Sequence, residues 1–193
     1  MSTSEKREEF KIHSIESAPE ESKVLLEQSK KANGYVPNLH GVLAESPGLL
    51  KTYLNTHELF ANSSFNAEEI TVVWQTINVE HECHYCVPAH TAIANFMKVD
   101  EAITEALRNR TEMPTEKLQI LHDMTLSLTR NRGNVDQEEL DTFYGAGYNQ
   151  RNVFDIILGL SQKVISNYTN HIAETPLDKG FEKYEWKKED VAS

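Results

Sequence analysis

The sequence predicts an all-α chain. Apolar residues recur at three- and four-residue spacing along most of its length, and helix-start signatures stand in front of those stretches. No run of alternating polar and apolar residues and no Asn-Gly hairpin turn competes with that pattern. Three regions follow. Residues 1–18 are charged and aperiodic and read as an N-terminal arm or strap, residues 19–180 as a helical domain, and residues 181–193 as a C-terminal tail.

Pro19-Glu20-Glu21 opens the first helix, which Asn33-Gly34 stops. A connector holding Pro37 follows, and Pro47 suits the first turn of a second helix carrying Leu50, Tyr53, Leu54, His57 and Leu59-Phe60. Asn66 with Glu69 spells a capping box ahead of the stripe Ile70, Val73, Trp74 and Ile77, and one more turn lands on Glu80, which is expected to point inward with them. A proline is tolerated only in a helix's first turn, so Pro88 sets the next start near Tyr85 or Cys86, with Ala89, Ile93, Phe96 and Met97 on the buried side. Asp100 caps a short helix through Arg108, and Pro114 begins a longer one with Leu118, Leu121, Thr125 and Leu128 inside. Asp136 with Glu139 forms a second capping box. The last helix runs from about Asn152 to Ala173, with Val153, Ile156, Ile157, Leu160, Val164, Tyr168 and Ile172 as its apolar stripe.

The chain has 193 residues, enough to bury a core of its own, and a formal charge of -11. That charge, with no Lys/Arg cluster, argues against nucleic acid as a partner. The opening MSTSEKREEF is polar where a secretory signal is apolar, and no long apolar run offers a membrane span. A cytoplasmic protein is expected, and in a reducing compartment a Cys-x-x-Cys pair is catalytic or metal-binding more often than a structural staple.

The only two cysteines lie in Glu80-His81-Glu82-Cys83-His84-Tyr85-Cys86-Val87-Pro88-Ala89-His90. Cys86, at a helix start, feels unpaired backbone N–H groups and the positive end of the helix dipole, both of which favour a thiolate. His90 is one turn further on the same face, placed to take the thiol proton. Glu80 is expected to orient His90 and balance its charge, as the third member of such relays does. Cys83 can then condense with a sulfenic acid or mixed disulfide on Cys86 to give an internal disulfide. Spacing leaves open which cysteine attacks first; the relation to His90 favours Cys86. His84, between the cysteines, is a further candidate base.

The pattern Glu80-x-x-Cys83-x-x-Cys86-x-x-x-His90 resembles the motif of AhpD-like alkylhydroperoxidases in the carboxymuconolactone decarboxylase superfamily. Asn167-Tyr168-Thr169-Asn170-His171 and Thr175-Pro176-Leu177-Asp178 resemble that superfamily's peroxidase-related branch, so the likeness spans about residues 20–182. The resemblance implies an AhpD-like helical fold, a homo-oligomer, commonly a trimer or hexamer, and an antioxidant activity. That activity is reduction of alkyl hydroperoxide or hydrogen peroxide, or of a disulfide, without metal, haem or other cofactor. The partners it implies are a peroxide and an external thiol or protein reductant.

Two other readings use the same atoms. His90 and Glu80 could act as acid and base on a lactone or related small acid, leaving the cysteines dispensable. Alternatively, Cys83, Cys86, His90 and Glu80 could complete a tetrahedral zinc site in a structural module. His57, His122 and His171 read as core or interface residues, and the tail from Phe181 to Lys188 either docks on a neighbouring subunit through its aromatic residues or is solvated.

Overall fold

A computed structural model describes residues 9–187. Among these residues there are nine α-helices, a single 3₁₀ turn and no strand: α1 (Glu20–Asn33), α2 (Asn38–Leu43), α3 (Pro47–Ala61), α4 (Ala67–Glu80), α5 (Cys86–Phe96), α6 (Glu101–Asn109), α7 (Glu116–Arg130), α8 (Gln137–Gly145), α9 (Gln150–Ala173) and the turn Glu182–Tyr184. The expected all-α class holds.

The chain's capping chemistry starts these helices. Asn66 accepts from the Glu69 N–H while the Glu69 carboxylate accepts from the Asn66 N–H, and Asp136 with Glu139 repeats the exchange at α8. Each such cap stabilises its helix by about 1 kcal/mol. α7 begins at Glu116 because the Thr115 hydroxyl caps it, two residues later than Pro114 suggests. The connector around Pro37 contains a helix of its own, α2, whose first N–H is satisfied by the Asp178 carboxylate 140 residues away. That partner lies too far along the chain for local spacing to reveal.

α4 is the central rod, buried from Glu69 through Val79, with α5, α6, α7 and α9 packed around it. Its Trp74 and Ile77 join Phe60, Leu121, Phe143 and Ile156 in the main core. Burial of each such side chain contributes roughly 1.5–3 kcal/mol. Gly159 lets α9 press against α3, since a Cβ there would meet the Phe60 ring at 2.9 Å.

The expected inner stripe of α9 holds at Ile156, with Val153 and Leu160 packed against the core, and fails at Ile157, Tyr168 and Ile172. Its buried side consists of Asn152, Ile156, Gly159, Gln162, Lys163, Ser166, Asn167 and Asn170. Ile157, Tyr168 and Ile172 are exposed instead, as is Phe154, and their spacing puts all four on one seam of the helix. Phe96, expected on the buried side of α5, is 89% exposed.

Both chain ends fold back. The imidazole of His13 is buried and pairs with Glu45 at 2.6 Å, and the His13 N–H donates to the Gly41 carbonyl of α2 at 3.0 Å; the rest of the expected arm, 1–8, is outside the described residues. The tail docks on its own chain. Trp186 is buried against Val79 and Val87 and donates to the Arg108 carbonyl at 3.0 Å, while Arg108 donates to the carbonyls of Tyr184 and Glu185. Residues 188–193 of the tail, Lys188 among them, lie outside the described residues.

Candidate active site

The dithiol occupies the bend between α4 and α5. Glu82 takes a left-handed conformation (φ 54°) that turns the chain out of α4, and the Cys83 N–H closes the turn on the Asn78 carbonyl at 3.0 Å. α5 then starts at Cys86. Pro88 falls in its first turn, where a missing N–H costs nothing. The Cys86 N–H donates to Cys83 Sγ at 3.3 Å, and both thiols are free and buried.

α9 supplies the polar wall of the site. Asn170 Nδ2 donates to Cys86 Sγ at 3.2 Å and lies 3.9 Å from Cys83 Sγ, while its Oδ1 has no hydrogen-bond partner. One ladder of side-chain amides fixes α9 to α4: Trp74 donates to Gln162 at 2.8 Å, and Asn167 donates to Asn78 at 3.0 Å. Between these rungs the fully buried Lys163 directs Nζ at His90 Nε2 and lies over the Trp74 ring, 5.3 Å from its centroid.

A cavity of about 470 Å³ reaches the site from the side of α1, α2 and α3, and no residue of α9 lines it. Cys86, His90, His40, His57, Tyr53 and Tyr85 contribute to its lining; Cys83 does not. The cavity therefore meets one sulfur of the pair. Its lining contains no Lys or Arg, and Glu58 is its only carboxylate.

Electrostatics separates the two thiols. Burial pushes the Cys83 thiol up, and its hydrogen bond to Cys86 pushes it further. Burial also opposes ionisation of Cys86. The Cys83 thiol, the Lys163 charge and hydrogen bonds from Ser166 and Asn167 outweigh it, so Cys86 falls below the ordinary thiol value. Burial lowers Lys163 to about 8, against the pull of the sulfurs. His40 and His57 are each lowered to about 4, first by burial and then by the neighbouring His57 ring and Lys163 respectively, and burial beside Lys163 takes His90 well below its ordinary value. All three are neutral imidazoles near pH 7.

Cys83 and Cys86 lie side by side, and Cys86 and His90 both line the cavity, but Glu80 does not join them. Its carboxylate is held by Arg130 through two hydrogen bonds of 2.7 and 2.8 Å, at the partly exposed end of α4. The helical stripe carries it outward because α4 ends there and α7 offers a guanidinium. His84 is exposed, and its Nε2 meets the Thr175 carbonyl at 3.0 Å. The four atoms needed for zinc are thus not assembled, and among the described residues no group of three or more His, Cys, Asp or Glu side chains is arranged to hold a metal. The acid–base pairing of His90 with Glu80 is absent as well.

Lys163 belongs to no motif of the sequence, and Asn170 falls only within the segment Asn167-Tyr168-Thr169-Asn170-His171. The available signal was the run of uncharged polar residues at helical spacing in α9, Gln162, Ser166, Asn167 and Asn170, on the side opposite its apolar seam. His57, read as a core residue, is both: it stacks on Trp74 (5.1 Å, 6°) and lines the cavity.

No protein-family model and no curated protein sequence matches the chain. Solved structures do. A Ralstonia eutropha JMP134 protein described as an alkylhydroperoxidase AhpD core, an uncharacterized peroxidase-related protein, superposes with a TM-score of 0.78 at 17% identity, over 88% of this chain and 92% of that one. An uncharacterized peroxidase-related protein from Silicibacter sp. TM1040 gives a TM-score of 0.75 at 17% identity, over 93% of this chain and 97% of that one. The chain therefore has the AhpD-like helical fold that these two peroxidase-related proteins share.

Proposed function

We propose that the chain is a thiol-dependent peroxidase or disulfide reductase. Cys86 is the attacking thiolate, Cys83 the resolving thiol, and His90 the group through which protons move. The supporting observation is the setting of Cys86: it is the sulfur that meets the cavity, with an amide donor 3.2 Å away and a second thiol alongside. Peroxide attack leaves a sulfenic acid on Cys86, Cys83 displaces the hydroxyl to form the disulfide, and an external thiol reopens it. Glu80, named by the motif, and His84, the further candidate base between the cysteines, take no direct part in this scheme. No helix among the described residues is long and apolar enough to cross a membrane. The homo-oligomer implied by the resemblance belongs to the proposal too, with the exposed seam of Phe154, Ile157, Tyr168 and Ile172 as the surface available to a second copy.

Intact-protein mass spectrometry after one equivalent of peroxide and thiol alkylation tests the scheme. Joint loss of both alkylation sites, and no thiol-dependent peroxide consumption by Cys86→Ser, are expected. Undiminished consumption by that variant would reject the assignment.

A further inference from the structure

Lys163 has no place in the motif, yet its amine lies in the interior at zero exposure. Among the described residues no carboxylate pairs with it. It contacts His90 on α5 and the Trp74 ring on α4, and its charge acts on His57 of α3 and on the sulfurs of Cys86 and Cys83. A buried ammonium without a counter-ion is too costly to persist, so it must either lose its proton or find an anion. The two sulfurs are the acidic groups that act on it, and of these Cys86 meets the cavity.

We infer that Lys163 is the positioning residue of the dithiol: its ammonium is the counter-ion of the Cys86 thiolate and the proton reservoir that His90 draws on. This rests on the reading of Cys86 as the reacting sulfur. The orientation of His90 supplies the second half of the argument. An ammonium has hydrogens to give and no lone pair, so a charged Lys163 at Nε2 must donate, which leaves Nε2 without a hydrogen and puts the ring's hydrogen on Nδ1. Nδ1 is buried without a hydrogen-bond partner, on a residue that lines the cavity with Cys86. A buried, unpaired N–H beside a reactive sulfur is a donor awaiting an acceptor, and the leaving oxygen of a peroxide is one.

The balance closes. The Cys86 thiolate attacks a hydroperoxide ROOH; the O–O bond breaks, the sulfur gains OH, and RO⁻ takes the proton of His90 Nδ1. Lys163 passes a proton to Nε2 and becomes a neutral amine. The Cys83 thiol then displaces hydroxyl from the sulfenic acid, releasing water and leaving the disulfide. An external dithiol returns two electrons and two protons. One proton restores the Cys83 thiol; the other enters at His90 Nδ1 while the Nε2 proton returns to Lys163, so that His90 regains its starting tautomer, Lys163 its charge, and Cys86 is again a thiolate. His90 never becomes an imidazolium, which a neighbouring ammonium forbids.

The test is the pH dependence of Cys86 alkylation by iodoacetamide in a Cys83→Ser background, for the Lys163 parent and for K163M, K163R and H90Q. K163M should raise the midpoint by about one to three pH units, the range an opposite charge at close quarters produces. K163R should restore a low midpoint, because it keeps the charge. H90Q should leave the midpoint low while slowing peroxide turnover in the Cys83-containing enzyme. An unchanged midpoint in K163M overturns the inference. If K163M does not fold, ¹⁵N spectra of histidine-labelled native protein decide it: a neutral His90 ring protonated at Nδ1 near pH 7 supports it, and an imidazolium or an Nε2–H ring overturns it. A shifted midpoint in K163M, with no peroxide turnover by the native chain, retains the ion pair and removes the peroxidase reading.

Discussion

Asn170 sets its side-chain N–H against both sulfurs of the dithiol, 3.2 Å from Cys86 and 3.9 Å from Cys83. A donor aimed at a buried anion is worth about 1.5–3 kcal/mol. Asn170→Ala is therefore expected to slow alkylation of Cys86 at neutral pH by roughly tenfold or more. Stability should fall much less, because the other end of the amide is already unpartnered. Thermal unfolding beside alkylation kinetics checks both.

Glu80 gives the opposite forecast. Its carboxylate is bound to Arg130 at a half-exposed end of α4, and such pairs contribute about 0–1 kcal/mol. Glu80→Gln should keep peroxide consumption within about twofold of the native rate and cost at most about 1 kcal/mol, an effect that salt diminishes. A collapse of turnover in a folded Glu80→Gln protein would return Glu80 to the relay.

Trp186 locks the tail. Replacing a buried tryptophan with alanine costs about 3–5 kcal/mol in a well-packed site, and here it also frees the Arg108 carbonyl. Trp186→Ala should lower the unfolding midpoint by several degrees, measured by scanning calorimetry.

Acid should loosen the fold through its buried imidazoles. His40 and His57 are lowered from 6.5 to about 4 in the folded chain, so the unfolded chain takes up protons first as pH falls. Stability is retained above about pH 6.5 and declines toward pH 4, by about 1.4 kcal/mol per pH unit for each histidine. Urea titrations at pH 7, 6 and 5 measure the slope. His40→Asn with His57→Asn should flatten it, and an unchanged slope would refute the assignment.

The helices were legible where local chemistry starts them. Capping boxes at Asn66 and Asp136, the first-turn Pro88 and the Asn33-Gly34 stop all declare themselves within four residues. The dithiol and His90 could be read for the same reason, since they sit within two turns of one helix start. What escaped is long-range. α2 is held by Asp178, the tail by Arg108, and His90 by Lys163, 73 residues away. α9 misled because apolar spacing reports which residues avoid water in an isolated helix. Here the interior it packs against is a polar site, which draws in Gln162, Lys163, Asn167 and Asn170 and leaves Tyr168 and Ile172 outside.

That two-sided helix has a mechanical consequence. Asn170 and Ile172 are neighbours on α9 that face opposite directions, one toward sulfur and one toward the outside. One helix carries both sides, so a single rotation or shift of α9 moves the amide donor and the outer seam together.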